Sequence, residues 1–532
     1  MANSSIAVYD RTLTLKSSAT LTAFTGQPGP LCDPQIQWDD SAQRWIYSIL
    51  YCSVTTSAQH LLVGWSRTSD PSTLSGSGWC QFPIDTFGLL LDYPKLGHNS
   101  KFMIVGGNLY DERTPRPNPP FVSAGILWVP TPTNPADATC PTSILVNGNQ
   151  LPQKNGDGVS YTFTPVPVNT ASNASDGYIV SAYDPLGAPG PSVPKSKMSV
   201  WHVDAGGTLR ADNDLAVNTY DVPSSAPQLG GGTTYVLDTL DARLTQAAGD
   251  PTTGLYTQHT VAGAGGRSEV RWYQFTVSGS TVVLAQQGTV SSPTDWLFNA
   301  AISPRFDGLG AAIIYNRSSP SIYPVIAARM RFQSTAPGTW EPGELILASS
   351  TALDSDRSCI PPNGPPCRWG DYAGASPDPV QKNLVWGTSE FNTASGTTPA
   401  WSNQNFAIWV SVAPSAVIAG AGDASASVGW TAPPVESVGP VIDSYTIKAW
   451  VGATVVATMT AAGQGTAVIF KGLINGTTYT FTVTANGAIG PSPESLSSNA
   501  VTPTRAAAQA TSAPAQRDPV LQSTPAPSPP GR

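Results

Sequence analysis

Charge is scarce in this chain. Of its 532 residues, 12% are Asp, Glu, Lys or Arg, against roughly a quarter in ordinary globular proteins. The 27 basic residues are outnumbered by 35 acidic ones and form no cluster, and the net charge is −8. That balance excludes nucleic acid as a partner. No apolar run approaches the length of a membrane span. The four histidines are scattered and no Cys-x-x-Cys pair occurs, so no zinc site is expected. There is no Gly-x-Ser-x-Gly elbow, no His-Glu-x-x-His and no phosphate-cradling glycine loop. The opening Met1-Ala2-Asn3-Ser4-Ser5 shows no basic segment and no apolar core, so it reads as a mature form with an added Met1 rather than a signal peptide.

Gly, Pro, Ser, Thr and Asn fill the place of charge, a composition common in extracellular β proteins. The cysteines number six, and an even count suits an oxidising compartment. Cys359 and Cys367 flank Ile-Pro-Pro-Asn-Gly-Pro-Pro, a short stiff loop that a disulfide would close. Cys32 starts a predicted first strand and Cys52 ends the adjacent second, while Cys80 and Cys140 lie near fourth strands of neighbouring units, so the pairs Cys32–Cys52 and Cys80–Cys140 are expected.

The strongest pattern is a recurring apolar segment marked by tryptophan. It reads Leu62-Val63-Gly64-Trp65, Ile126-Leu127-Trp128-Val129, Ser199-Val200-Trp201-His202, Val270-Arg271-Trp272-Tyr273 and Ala407-Ile408-Trp409-Val410. A further copy, Val325 to Met330, lacks the tryptophan. The spacing, about sixty to eighty residues where copies are adjacent, signals a repeat architecture. Each copy follows a second strand-like segment, such as 44–51 or 101–110, and most have an earlier strand starting near Asp or Asn. A fourth strand usually follows. Four-stranded units repeated radially make a β-propeller of six blades, with seven left open. The last unit has no fourth strand of its own, and alternating Thr12 to Leu15 and Ala19 to Thr22 lie unassigned. An N-terminal strand is therefore expected to complete the last blade and close the ring. The propeller is assigned 1–413.

From Pro414 the texture changes. The early Trp430, the middle Tyr445 and the corner Leu473-Ile474-Asn475-Gly476-Thr477-Thr478-Tyr479 resemble a fibronectin type III domain, assigned 414–504. The resemblance implies a seven-stranded sandwich in which the Tyr479 hydroxyl bonds backbone just upstream. Residues 505–532, rich in Pro, Ala and Ser, cannot build a core and should be disordered.

Strand direction sorts the loops of the propeller onto two rims. The rim where first strands start receives the long loops 111–123, 184–195 and 350–369, and is the candidate site. Asp33, Asp92 and Asp371 should ring the channel mouth there with Arg368 beside them; Arg113, Arg116 and His98 are further candidate ligand-binding residues. The competing reading is that each Asp caps its own turn. A structural cation such as calcium is left open, and no other cofactor is expected.

Thr68-Ser69-Asp70-Pro71 with Gly78-Trp79 looks like a stretched Asp-box, the structural turn of six-bladed sialidase-like propellers. It has extra residues and lacks the Thr before Trp, so the resemblance is one of architecture. A sialidase needs an arginine triad, a Tyr/Glu pair and an acid. Arg44, Arg305, Arg368, Tyr372 and Glu390 are available, but no motif assigns them. The expected function is a secreted or cell-surface binding protein that recognises a polysaccharide or a cell-surface glycan or protein. A secreted glycoside hydrolase or lyase and a structural surface or filament subunit are the alternatives, and whether the chain is an enzyme stays open.

Overall fold

The computed structural model describes residues 4–52, 60–71, 73–86, 88–112, 119–171, 173–185, 193–279, 281–360, 364–393, 401–434, 441–487 and 490–505. Arg113, Arg116 and all but the first residue of the 505–532 tail lie outside them. Two compact units emerge, one centred on Met1–Ala413 and one built from Pro414–Ala432, Ser444–Thr484 and the segment from Glu494.

The first unit is a succession of six antiparallel blades, the second and fourth of them joined into one nine-stranded sheet by Asn169–Thr170. Blade 1 is Leu31–Asp39, Arg44–Tyr51, His60–Ser66 and Trp79–Asp85. Blade 2 is Leu89–His98, Phe102–Asp111, Phe121–Pro130 and Asn147–Gln150. Blade 3 has a short inner strand, Val166–Pro167, then Gly177–Ala182 and Lys195–Val203, with Leu209–Ala211 and Leu215–Tyr220 sharing the outer edge. Blade 4 runs from Leu244–Asp250 to Thr281–Val290, and blade 5 from Trp296–Pro304 to Leu345–Ser349, each with four strands. Among the described residues blade 6 has three, Gly374–Pro377, Leu384–Asn392 and Trp401–Trp409.

Every tryptophan of the sequence repeat falls on a third strand, and its burial shows why it recurs. Trp65 lies in the core between blades 1 and 2, Trp128 and Trp201 between blades 2 and 3, and Trp272 between blades 4 and 5. Burying a side chain of that size contributes roughly 1.5–3 kcal/mol. Trp409, on the three-stranded blade, is 37% exposed.

The inner strands crowd one another at the axis. Asn169–Thr170 pairs in parallel with the inner strands of both blade 2 and blade 4. The Asn169 amide donates to Ser376 of blade 6 at 3.2 Å, and Gln246 of blade 4 donates to the Ala375 carbonyl at 3.1 Å. Gly97 is needed here, because a Cβ on it would sit 2.5 Å from the Val168 oxygen.

The N-terminus does not supply the missing strand. Ser5–Tyr9 pairs with Leu15–Thr20 instead, folded back by a turn in which Asp10 accepts from the backbone of Thr12 and Thr14. A helix, Leu21–Thr25, follows, capped by Thr20 and ended by Gly26 at φ 67°. The alternating residues expected to form one closing strand instead span the turn of this hairpin, its second arm Leu15–Thr20 and the start of the helix. Ile6, Leu21 and Phe24 pack on Tyr47, Leu62 and Trp79 of blade 1. Arg11 reaches Asp378 at 2.5 Å and Gln381 at 2.9 Å in blade 6. The hairpin clasps the first and last blades by side chains rather than by a strand ladder.

Three disulfides join Cys32–Cys52, Cys80–Cys140 and Cys359–Cys367. The second staples the fourth strand of blade 1 to the loop after the third strand of blade 2.

The second unit is a β-sandwich. One sheet is Ser415–Gly422, Ser425–Thr431 and Ala467–Lys471; the other is Ile442–Val451, Thr454–Ala462, Thr480–Gly487 and Gly490–Pro491. Trp430 packs on Tyr445 with ring centroids 4.9 Å apart, and the Tyr479 hydroxyl accepts from the Ile474 N–H at 3.1 Å, the expected corner.

Candidate functional site

The first strands of blades 1, 2 and 5 begin with the same distortion. Each carries a bulge, between Cys32 and Gln35, Asp92 and Lys95, and Phe298 and Ala301. Each bulge puts one residue in the left-handed region: Asp33 at φ 50°, Tyr93 at 56° and Asn299 at 46°. Asp33 and Asn299 tolerate that conformation, whereas for the bulky Tyr93 it costs energy. Bulges re-aim side chains beside functional sites. They also show that Asp33 is equivalent to Tyr93, not to Asp92. The acidic residues that look repeated in the sequence are not the same position of the repeat.

The mouth so formed is a network of carboxylates, cations and rings. Lys95, 3% exposed, sits 3.6 Å above the Tyr93 ring and 4.0 Å from the Tyr372 ring, and its ammonium has no hydrogen-bond acceptor. Burial holds its pKa well below the usual value, although Asp371 and Asp33 pull the other way. Tyr93 donates to the Asp371 carbonyl at 2.6 Å. Arg243, at the end of the loop that leads into blade 4, binds Asp241 with both ends of its fork, at 2.6 and 2.5 Å, and lies 4.8 Å from the Tyr93 ring. Burial alone would raise Asp241; Arg243 outweighs it and leaves it lowered. Burial pushes Asp33 up to about 6, with Tyr372 opposing and the charges of Asp92 and Asp371 adding to it. Asp92 and Asp238 are also raised by burial. Arg368 pairs with Asp371, whose charge lifts its pKa.

The structure therefore brings Asp33, Asp92, Asp371 and Arg368 together. It does not bring His98. That residue ends the inner strand whose start carries Asp92, on the order of 20 Å away at the strand rise. It is 1% exposed, with Nδ1 3.3 Å from Gln37. Two candidate arginines are scaffold: Arg44 binds the carbonyls of Pro135 and Asp137, and Arg305 binds Asp307 and the Val410 carbonyl. His202 pairs with Asp212 at 2.9 Å, beside a cleft of about 160 Å³ on blade 3.

Sequence reading missed the loop 221–243. Its Leu237 pairs with Cys367 in a parallel bridge, Asp238 N–H donates to the Cys367 carbonyl at 2.8 Å, and Gln228 bonds the Asp354 backbone in both directions. Ala226, Leu237, Phe298, Trp369 and the Cys359–Cys367 disulfide form a small core beneath. Asp241 and Arg243 enter the mouth from this loop. Its only sequence signal was length: some twenty residues between strands is unusual without a purpose. Glu390, on blade 6, faces the same region; burial, then the charge of Asp354, raises its carboxyl to about 8.

No curated protein matches the chain. Among solved structures it is similar to Trypanosoma rangeli sialidase in complex with sialic acid, at 9% identity and TM-score 0.37, covering 91% of this chain and 85% of that one. It is also similar to an endo-arabinase from Bacteroides thetaiotaomicron, at 12% identity and TM-score 0.26, covering 55% and 92%. Chicken CNTN1 FN1-FN3 domains match at 10% identity and TM-score 0.16, covering 62% and 95%. The propeller assignment rests on the strand ladders rather than on these likenesses. The model of the fibronectin type III domain matches residues 412–501. Tyrosine corner, sheet pairing and family model agree: this segment is a fibronectin type III domain.

Proposed function

We propose that the protein is a secreted or cell-surface binding protein that engages a glycan through the long-loop rim of its propeller, with the Asp33–Lys95–Asp371 network as the floor of the site. The supporting observation is the frame around that floor. Loops 221–243 and 350–369 are bridged to each other and stapled by Cys359–Cys367, so Arg368 and Asp371 sit on a rigid platform. Alternating carboxylates and cations match the donor and acceptor hydroxyls of a sugar. Arg243 and Arg368 already hold Asp241 and Asp371, which favours neutral glycans over acidic ones. Three disulfides and a fibronectin module fit an extracellular setting. No helix of the described residues is long and apolar enough to cross a membrane.

One observation favours the second reading, a glycoside hydrolase or lyase. Asp33, raised to about 6, and Asp92, also raised by burial, stand together at the mouth, and a carboxyl kept protonated is what glycoside cleavage uses as its acid. A glycan microarray run beside a reducing-end release assay on the same sugars separates the readings. Binding predicts retention without product, lost in Arg368→Ala. Hydrolysis predicts product, lost in Asp33→Asn. Neither retention nor product would remove the mouth as the site.

A further inference from the structure

We propose that the cleft between blades 4 and 5, on the rim where the inner strands end, binds a carboxylate group, with the Arg331 guanidinium supplying the charge and the Gln274 amide a hydrogen bond. This does not rest on the glycan reading, which concerns the opposite rim. The cleft has a volume of about 140 Å³. Tyr256, Gln274 and Gln286 of blade 4 line it on one side, and Arg331, Phe332 and Gln333 of blade 5 on the other.

An unbalanced charge is the first observation. Arg331 is 4% exposed, and its Nε and Nη1 have no acceptor. Its one hydrogen bond among the described residues runs from Nη2 to the Thr335 carbonyl, at 3.4 Å. The guanidinium lies 4.8 Å from the Trp272 ring, which offers a π face but no counter-charge. A guanidinium stays charged at any ordinary pH, and burying it without a carboxylate partner is costly. Burial weighs against its charged form, with Tyr256 and Glu341 opposing. The Glu341 carboxylate accepts from the Thr335 hydroxyl rather than from Arg331. The charge of Arg331 acts within the cleft. Burial pushes the Tyr256 phenol up to about 12, and Arg331 pulls against that rise.

The second observation is a chain of amides whose direction is fixed. The Gly338 backbone N–H donates to Gln286 Oε1 at 2.9 Å, so Gln286 turns its Nε2 to Gln274. That Nε2 donates to Gln274 Oε1, which leaves Gln274 Nε2 as a donor. Among the described residues this nitrogen makes one loose bond, to the Thr253 carbonyl at 3.4 Å. Gln274 stands directly opposite Tyr256 and two residues along its strand from Trp272, on the same face. That spacing is about 7 Å at the strand rise. The guanidinium over Trp272 and the amide donor of Gln274 therefore flank one space. Donors of this kind suit a ligand group that only accepts. A single guanidinium balances a single negative charge, which favours a carboxylate over a phosphate dianion.

The test uses the full chain, melted at neutral pH and constant ionic strength with increasing sodium acetate, sodium D-glucuronate, D-glucose or sodium phosphate. A saturable rise in Tm with both carboxylates, and none with glucose, is expected. Tighter binding of glucuronate than of acetate identifies a uronic sugar as the source of the carboxylate, and the reverse a free organic acid. Arg331→Met should abolish the rise. Gln274→Ala, at a half-buried position, should weaken carboxylate binding about tenfold, as expected for one hydrogen bond to a charged group. It also serves if Arg331→Met does not fold. No saturable rise with either carboxylate would overturn the proposal. An equal rise in wild type and Arg331→Met would overturn it too, by placing the anion elsewhere, as would phosphate binding more tightly than acetate.

Discussion

The two rims of the propeller use the same residue type for opposite purposes. On the rim where the inner strands end, the hairpins to the second strands are closed by Asp39, Asn99, Asp250, Asp307 and Asp378. Each accepts from backbone N–H groups two or three residues on, at 2.7 to 3.0 Å. Those oxygens are satisfied locally, and they build turns. On the rim where the inner strands start, Asp33, Asp92, Asp238 and Asp241 are drawn inward among Lys95, Arg243 and two tyrosine rings, and three of the four are raised by burial. One rim gives its carboxylates backbone donors; the other crowds carboxylates against one another and against cations, at a cost. A fold tolerates that cost where a site needs it.

The largest way to break this contrast is at Arg243. Replacing it with Met strands Asp241, which is largely shielded from water, its side chain 21% exposed, and is paired twice. Urea unfolding should show a loss of about 3–5 kcal/mol. On the other rim, Asp39→Ala leaves the N–H of Ala42, 1% exposed, without its acceptor. The expected loss is about 1–3 kcal/mol, with ligand retention unchanged.

Asp33→Asn should do something different in kind. The folded pKa of Asp33 is raised to about 6 from 3.8, so the folded state binds the extra proton between those values. Its contribution to stability is full below about pH 4 and is lost as pH rises through 6. Stability measured across that window should fall less steeply with rising pH in Asp33→Asn than in the wild type. A slope unchanged by the substitution would mean that Asp33 is solvated. The smallest stability effect belongs to Arg368→Ala. Its guanidinium is 69% exposed, and such a pair contributes about 0–1 kcal/mol. Its effect on ligand retention should be the greatest of the four.

Much of the scaffold was legible because its signals are periodic. Tryptophans on third strands, small residues on inner strands and the Tyr479 corner are each dictated by packing that repeats. What escaped was irregular. The alternating Leu13, Leu15 and Leu21 fall in a turn, a strand and a helix, and nothing in their alternation marks those changes. Asp33 and Asp92 look equivalent in sequence, but the bulges shift one against the other by a residue. Arg243 and Lys95 carry no motif; they reach the mouth because loop 221–243 and the Tyr93-Pro94 bulge aim them there. Asp371 and Arg368 could be placed because the first-strand rule located the one and the cysteine loop the other.

The central claim is that the two rims differ in function. Its most direct measurement is glycan-array binding by the wild type beside Arg368→Ala and Lys101→Ala, the last an exposed residue of the hairpin rim. Binding lost in Arg368→Ala and kept in Lys101→Ala is the predicted result. Binding that survives Arg368→Ala, or falls equally in both, would contradict it.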